Sequence, residues 1–143
     1  LKNEERYNIY FDNIQPSSAD IVLAWEKSAI RFSVEHCVDD EILAEIKQKT
    51  QDPNASIATL EQAAEYYYQK GINLNQALVW AQKVVDADQK YWTYQLLAGI
   101  ASKLGQCDIA LPNAQKSLKM AIAEKDDAYI LLNKNIINKC LHK

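Results

Sequence analysis

"GINLNQALVWAQK", residues 71–83, returns in altered form as "GQCDIALPNAQK", residues 105–116. Gly71 and Gly105 stand 34 residues apart, as do Ala64 and Ala98. Past each glycine the offset drops to 33, because "GINLNQA" is one residue longer than "GQCDIA". Under that shift Ala77, Leu78, Ala81, Gln82 and Lys83 fall on Ala110, Leu111, Ala114, Gln115 and Lys116, five identities in seven positions. A fixed period of this size marks a helix, a glycine-containing turn and a second helix, written twice. Alanine lets two backbones approach, and glycine ends a helix in a left-handed turn.

Such a unit resembles the tetratricopeptide repeat (TPR). Leu60, Ala63, Ala64, Tyr67, Gly71, Ala77, Ala81 and Val84 fit its pattern in the first unit, and Tyr94, Leu97, Ala98, Ala101, Gly105, Ala110 and Ala114 in the second. The Trp and Pro markers usual in that family are missing, so these are divergent repeats. A third first-helix follows at 127–141, with Tyr129, Leu132, Ile136, Ile137 and Cys140 as its apolar stripe. It lacks a second helix, as a terminal cap does. Five repeat helices are expected, near 57–70, 74–88, 91–104, 108–124 and 127–141. Asp108 is the expected N-cap of the fourth, which puts Pro112 in the first turn or just past it, where a missing N–H costs little.

The first 36 residues have a different period. Tyr7, Ile9 and Phe11 alternate with polar or mixed neighbours, and Ile30, Phe32 and Val34 alternate with Arg31, Ser33 and Glu35, as strands do. Between them "DIVLAWE" is apolar on both faces, as a doubly covered strand would be. With "QPSSAD" and "EKSA" as turns, a three-stranded antiparallel meander is expected over 6–13, 20–26 and 29–36. From residue 39 the period becomes helical. Asp39, Asp40 and Glu41 open a helix that Lys47 and Lys49 close, as the helix dipole favours. "TQDPNAS" then breaks the chain at Pro53, with Ser56 as the next N-cap.

The expected fold is therefore α+β and mainly α: a short antiparallel three-stranded meander, then a TPR-like right-handed stack of antiparallel α-hairpins, an α-α superhelix. Strands occupy 1–37, a helix and linker 38–55, and the repeat domain 56–143, with units 57–90 and 91–125 and the capping helix 127–141. Sparse glycine and proline, three of each in 143 residues, point away from a β-sandwich or barrel. An apolar share of 48 % with 24 % charged residues is that of an ordinary globular chain.

A net charge of −3 gives no pull toward nucleic acid. No apolar run approaches the ~20 residues that cross a bilayer, so no membrane insertion is expected. Cys37, Cys107 and Cys140 are odd in number and widely spaced, which fits neither a disulfide framework nor a zinc knuckle, and reads as free thiols. The opening at Leu1, without Met or signal peptide, reads as part of something longer.

Over nearly its whole length the chain is similar to the C-terminal half of a family of secreted bacterial proteins in which a β-rich domain precedes a TPR-like tail. "SADIVLAWEK", "LEQAAEYY", "NLNQALVW" and "YWTYQLLAGIASKLG" carry the similarity. It implies that the strands are the last of a truncated β-domain and that the location is secreted or periplasmic. It implies no activity.

No chemistry-bearing motif competes with that reading. His36 with Cys107 or Cys140 lacks an oxyanion turn, and His36 and Cys37, as strand neighbours, point to opposite faces. No metal motif occurs, and Gly71, Gly99 and Gly105 are isolated rather than a phosphate loop. Asp39-Asp40 and Asp126-Asp127 read as helix starts. No catalytic residue, metal or cofactor is expected, and the chain is read as not an enzyme.

The residues "EYYYQK" fan around a helix in steps of about 100°. The repeat alignment sends Tyr67 inward and Tyr68 to the groove. In the TPR family the inner helices line a groove that takes peptides. Carried over by position, that surface is Glu61, Gln62, Glu65 and Tyr68, then Trp92, Gln95, Leu96 and Lys103. Glu61, Glu65, Gln95 and Gly99 stand where the family's carboxylate clamp needs basic and Asn residues, so a mixed acidic and aromatic groove would take a basic or apolar segment instead. The leading expectation is a non-catalytic protein or peptide interaction module. Its alternatives are a structural or self-association domain bracing the β-domain, with a homodimer through strands 6–36, and an accessory domain of a secreted enzyme whose active site lies in the missing N-terminal part.

Overall fold

The structure, a computed structural model, describes residues 4–15, 17–35 and 38–142. His36 and Cys37 lie outside the described residues. A three-stranded antiparallel sheet precedes six helices among the described residues, so the fold is α+β and mainly α. Two compact units, Leu1–Ile46 and Lys47–Lys143, divide the chain.

In the first unit β1 (Glu4–Asp12), β2 (Ser18–Glu26) and β3 (Ser28–Glu35) pair in the order β1-β2-β3. α1 (Val38–Thr50) runs across the boundary between the units. The strand register separates two chemistries. On one face Phe11, Ile21 and Phe32 form a row, beside the row of Ile9, Leu23 and Ile30. On the other lie Asp12, Asp20 and Ser33, beside Tyr10, Val22 and Arg31.

The expectation that β2 is apolar on both faces is thus corrected at Asp20, which is buried. Ser33 donates to one Asp20 oxygen at 2.5 Å, and Arg31 reaches the other at 3.1 Å and Asp12 at 2.7 Å. Hydrogen bonds from Ser33 and Arg31 hold the Asp20 carboxyl below its ordinary range, and Arg31 and the Asn13 N–H do the same for Asp12. Burial of Asp20 is tolerable because these donors replace its water.

The second unit holds α2 (Ile57–Lys70), α3 (Leu74–Ala87), α4 (Tyr91–Lys103), α5 (Cys107–Glu124) and α6 (Asp127–Leu141). Each packs on its successor, and α2 also touches α4 and α4 also touches α6. The duplicated phrase is duplicated in environment. Ala77 and Ala110 are fully buried, Leu78 and Leu111 half-buried, Ala81 and Ala114 fully buried, and both Gln-Lys pairs exposed.

The glycine turns match as well. Gly71 and Gly105 have φ of +69° and +76°. After them the Ile72 N–H bonds the Tyr67 carbonyl at 3.1 Å, and the Gln106 N–H bonds the Ala101 carbonyl at 2.9 Å. This six-to-one closure satisfies a carbonyl that the helix end leaves open. Helix starts follow the sequence at Ser56, which accepts from the Thr59 N–H, and at Asp126, which accepts from the Tyr129 N–H.

Three details differ from the sequence reading. The N-cap of α5 is Gln106 rather than Asp108, which places Pro112 in the second turn, where its ring removes the bond to the Asp108 carbonyl. Cys107 and Cys140 are not free thiols: they form a disulfide, with Cα atoms 5.5 Å apart, that joins the first residue of α5 to the last turn of α6. The stripe of α6 is centred on Ile136 and the fully buried Asn133, while Leu132 is 44 % exposed. Asn133 donates to Ser117 Oγ at 2.7 Å and to the Tyr129 carbonyl at 2.8 Å. Ser117 in turn donates to the Tyr91 carbonyl at 2.6 Å, so one polar chain links α4, α5 and α6.

Trp80 is buried, with its ring 5.2 Å from that of Tyr67 across the α2–α3 pair. Trp80→Ala is expected to cost about 3–5 kcal/mol in denaturant unfolding. Cys107→Ala with Cys140→Ala releases a link spanning 33 residues. On loop-closure entropy alone its loss costs about 3–4 kcal/mol, which the shift of the unfolding midpoint measures directly.

Candidate functional site

Glu61, Glu65, Tyr68 and Gln69 project from one side of α2, since positions three and four apart share a helix face. With Trp92, Gln95 and Leu96 of α4 and Tyr129 and Leu132 of α6 they line a cavity of about 260 Å³. The contacts of α2 with α4 and of α4 with α6 make this one continuous surface.

Of the eight residues assigned to the groove by sequence, six line the cavity: Glu61, Glu65, Tyr68, Trp92, Gln95 and Leu96. Lys103 is placed otherwise. Its ammonium donates to the Tyr68 carbonyl at 2.6 Å and lies 4.4 Å from the centre of the Tyr68 ring, so it holds that wall in position. Gln62 is exposed and outside the lining.

Gly99 is the counterpart of this arrangement. A Cβ there would come within 2.6 Å of the Tyr68 hydroxyl and 2.9 Å of Cζ. The glycine is needed for close approach of the ring rather than for a turn.

Gln69, Tyr129 and Leu132 were missed by the sequence reading. Tyr129 and Leu132 fall in the apolar stripe expected of α6, which by itself does not mark them as groove wall. Tyr129 is fixed edge-on to Tyr91 at 5.0 Å, and Tyr91 packs edge-on to Trp92 at 4.9 Å while its hydroxyl donates to Asp126 at 3.1 Å. The α6 wall is therefore tied to the α4 wall by three rings.

Charge in the groove is one-sided. Burial, then the charges of Glu65 and Asp88, push the Glu61 carboxyl above the ordinary carboxylate range. Burial also raises the Tyr129 phenol, with Asp126, Glu65 and Glu61 adding to it, which places both glutamates within electrostatic reach of the α6 wall. Glu65 accepts from Gln69 Nε2 at 3.1 Å. Polar groups can thus orient a ligand here, and aromatic faces can cover it. A second hollow of about 330 Å³, lined by Leu78, Val79, Gln82, Lys83, Leu97 and Ile109, is nearly all apolar.

Among the described residues no group of three His, Cys, Asp or Glu side chains is placed to hold a metal ion, and no helix is long and apolar enough to cross a membrane.

A carboxyl raised in the folded state favours folding when protonated, so its contribution is present below the unfolded value near 4.5 and is lost as pH rises through the folded one. Glu61→Gln is accordingly expected to raise the melting temperature at pH 7 and to leave it unchanged near pH 3.5. An equal shift at both values would place the effect outside ionisation.

Comparison of the chain with protein-family models, with curated proteins and with solved structures finds no match.

Proposed function

We propose that this chain is a non-catalytic interaction module whose groove between α2, α4 and α6 takes an extended segment of another protein. One observation carries the reading: side chains from three helices converge on a single cavity with aromatic walls and carboxylates. Matching burial, glycine turns and helix closures of the two units support their reading as TPR-like repeats. The Cys107–Cys140 disulfide supports an extracytoplasmic site of action, because such bonds persist in oxidising compartments.

A second reading has its own support. On the sheet Ile9, Phe11 and Ile30 are 64 %, 63 % and 66 % exposed, an apolar face of the kind that associates. Under that reading the strands form a homodimer or pack on further β-structure, and the helices brace them.

Panning a random peptide library on the intact chain, against Tyr68→Ala with Trp92→Ala, separates the two. Groove binding predicts selected peptides that lose about tenfold or more in affinity with both rings removed. Unchanged binding, together with dimers in sedimentation, supports the sheet instead.

A further inference from the structure

Resting on the groove reading above, the inference concerns what the groove selects. Two carboxylates one helical turn apart, about 6 Å along α2, face Trp92 and Tyr129. Among the described residues no ion pair reaches Glu61 or Glu65, and Glu65 accepts only from the neutral amide of Gln69. Lys103, the one base that the sequence places in this surface, is committed to the carbonyl and ring of Tyr68.

Glu61 is half-buried while Glu65 is exposed, and a half-buried carboxylate without a counter-charge loses hydration and recovers little in return. Its cost falls if a cation arrives from outside. The volume of about 260 Å³ lies below the roughly 300–1,000 Å³ of sites that enclose a drug-sized ligand, and suits one long side chain. Indole and phenol faces attract a cation through the ring quadrupole, and Trp does so most strongly. Trp92 is 37 % exposed, so its ring is open to a visitor.

We infer that the cavity is a pocket for a cationic side chain, arginine or lysine, presented by an extended partner peptide: Glu61 and Glu65 pair with the charge while Trp92 and Tyr129 cover its stem and face. Gln95 lines the same cavity and can bond the partner's backbone or amides, while Gln69 is engaged with Glu65. Tyr68, clamped by Lys103 and seated on Gly99, is the fixed back wall.

Capped nonapeptides identical except for a central Arg, Lys, citrulline or norleucine provide the probe, with the Trp92 indole N–H followed by NMR as each is added to the intact chain at low salt. Arg and Lys are expected to bind about tenfold more tightly than citrulline and norleucine, with the difference shrinking as salt screens it. Glu61→Gln with Glu65→Gln should abolish the preference while the norleucine peptide is unaffected. Arg above Lys would assign planar stacking, and Lys above Arg a point charge. Equal binding of all four peptides overturns the cation pocket and leaves the groove standing. Absence of any shift with the Arg and Lys peptides also overturns it. Failure of the library selection at Tyr68 and Trp92 would instead remove the groove itself.

Discussion

Two helices can pack closely only where the side chains between them are small, and in this chain that condition is met by alanine. Ala64, Ala77, Ala81, Ala98, Ala101, Ala110, Ala114 and Ala121 are all fully buried. Ala98, Ala101, Ala110 and Ala114 gather with Ile136 in one core cluster, against which Leu78, Ile109, Ile137 and Cys140 pack. A larger residue at any of these points would have to push one helix off another, because a filled core has no slack. The groove depends on the same spacing. Its walls stand on α2, α4 and α6, and α4 touches both of the others across this close packing.

Upon that scaffold the polar design is uneven in a consistent direction. Buried polar groups away from the groove are mostly satisfied: Thr93 accepts from the Lys90 N–H at the start of α4, and Ser117 and Asn133 bridge three helices. Asn133 Oδ1 is the buried side-chain oxygen without a partner among the described residues. In the groove the half-buried Glu61 has no ion-pair partner among the described residues, while the Lys103 ammonium is used to fix a ring. Such an imbalance costs stability in the free protein, and sites that bind commonly carry such a cost.

Much of this was legible from residue types and spacing. The echo of 71–83 in 105–116 located both glycine turns, and alternation at Ile30, Phe32 and Val34 located a strand. In the tyrosine run Tyr67 is buried and Tyr68 lines the cavity. What escaped was long-range pairing. Nothing local at Cys107 or Cys140 reveals that α5 and α6 bring them together across 33 residues. Period analysis cannot tell a groove wall from core when both are apolar, hence Tyr129 and Leu132. Asp20 was absorbed into an apolar run because its partners, Arg31 and Ser33, come from another strand.

A helix held by packing alone can open locally at a free energy well below that of the whole fold. Here α6 supplies two residues of the groove, Tyr129 and Leu132. Its start is held by Asp126, which caps the helix and receives the Tyr91 hydroxyl, and its finish by a covalent staple to α5. Being pinned at both extremities, α6 cannot peel away stepwise from either one. The wall it provides therefore opens only when α5 and α6 let go together, which gives the groove a persistence that packing alone would not supply.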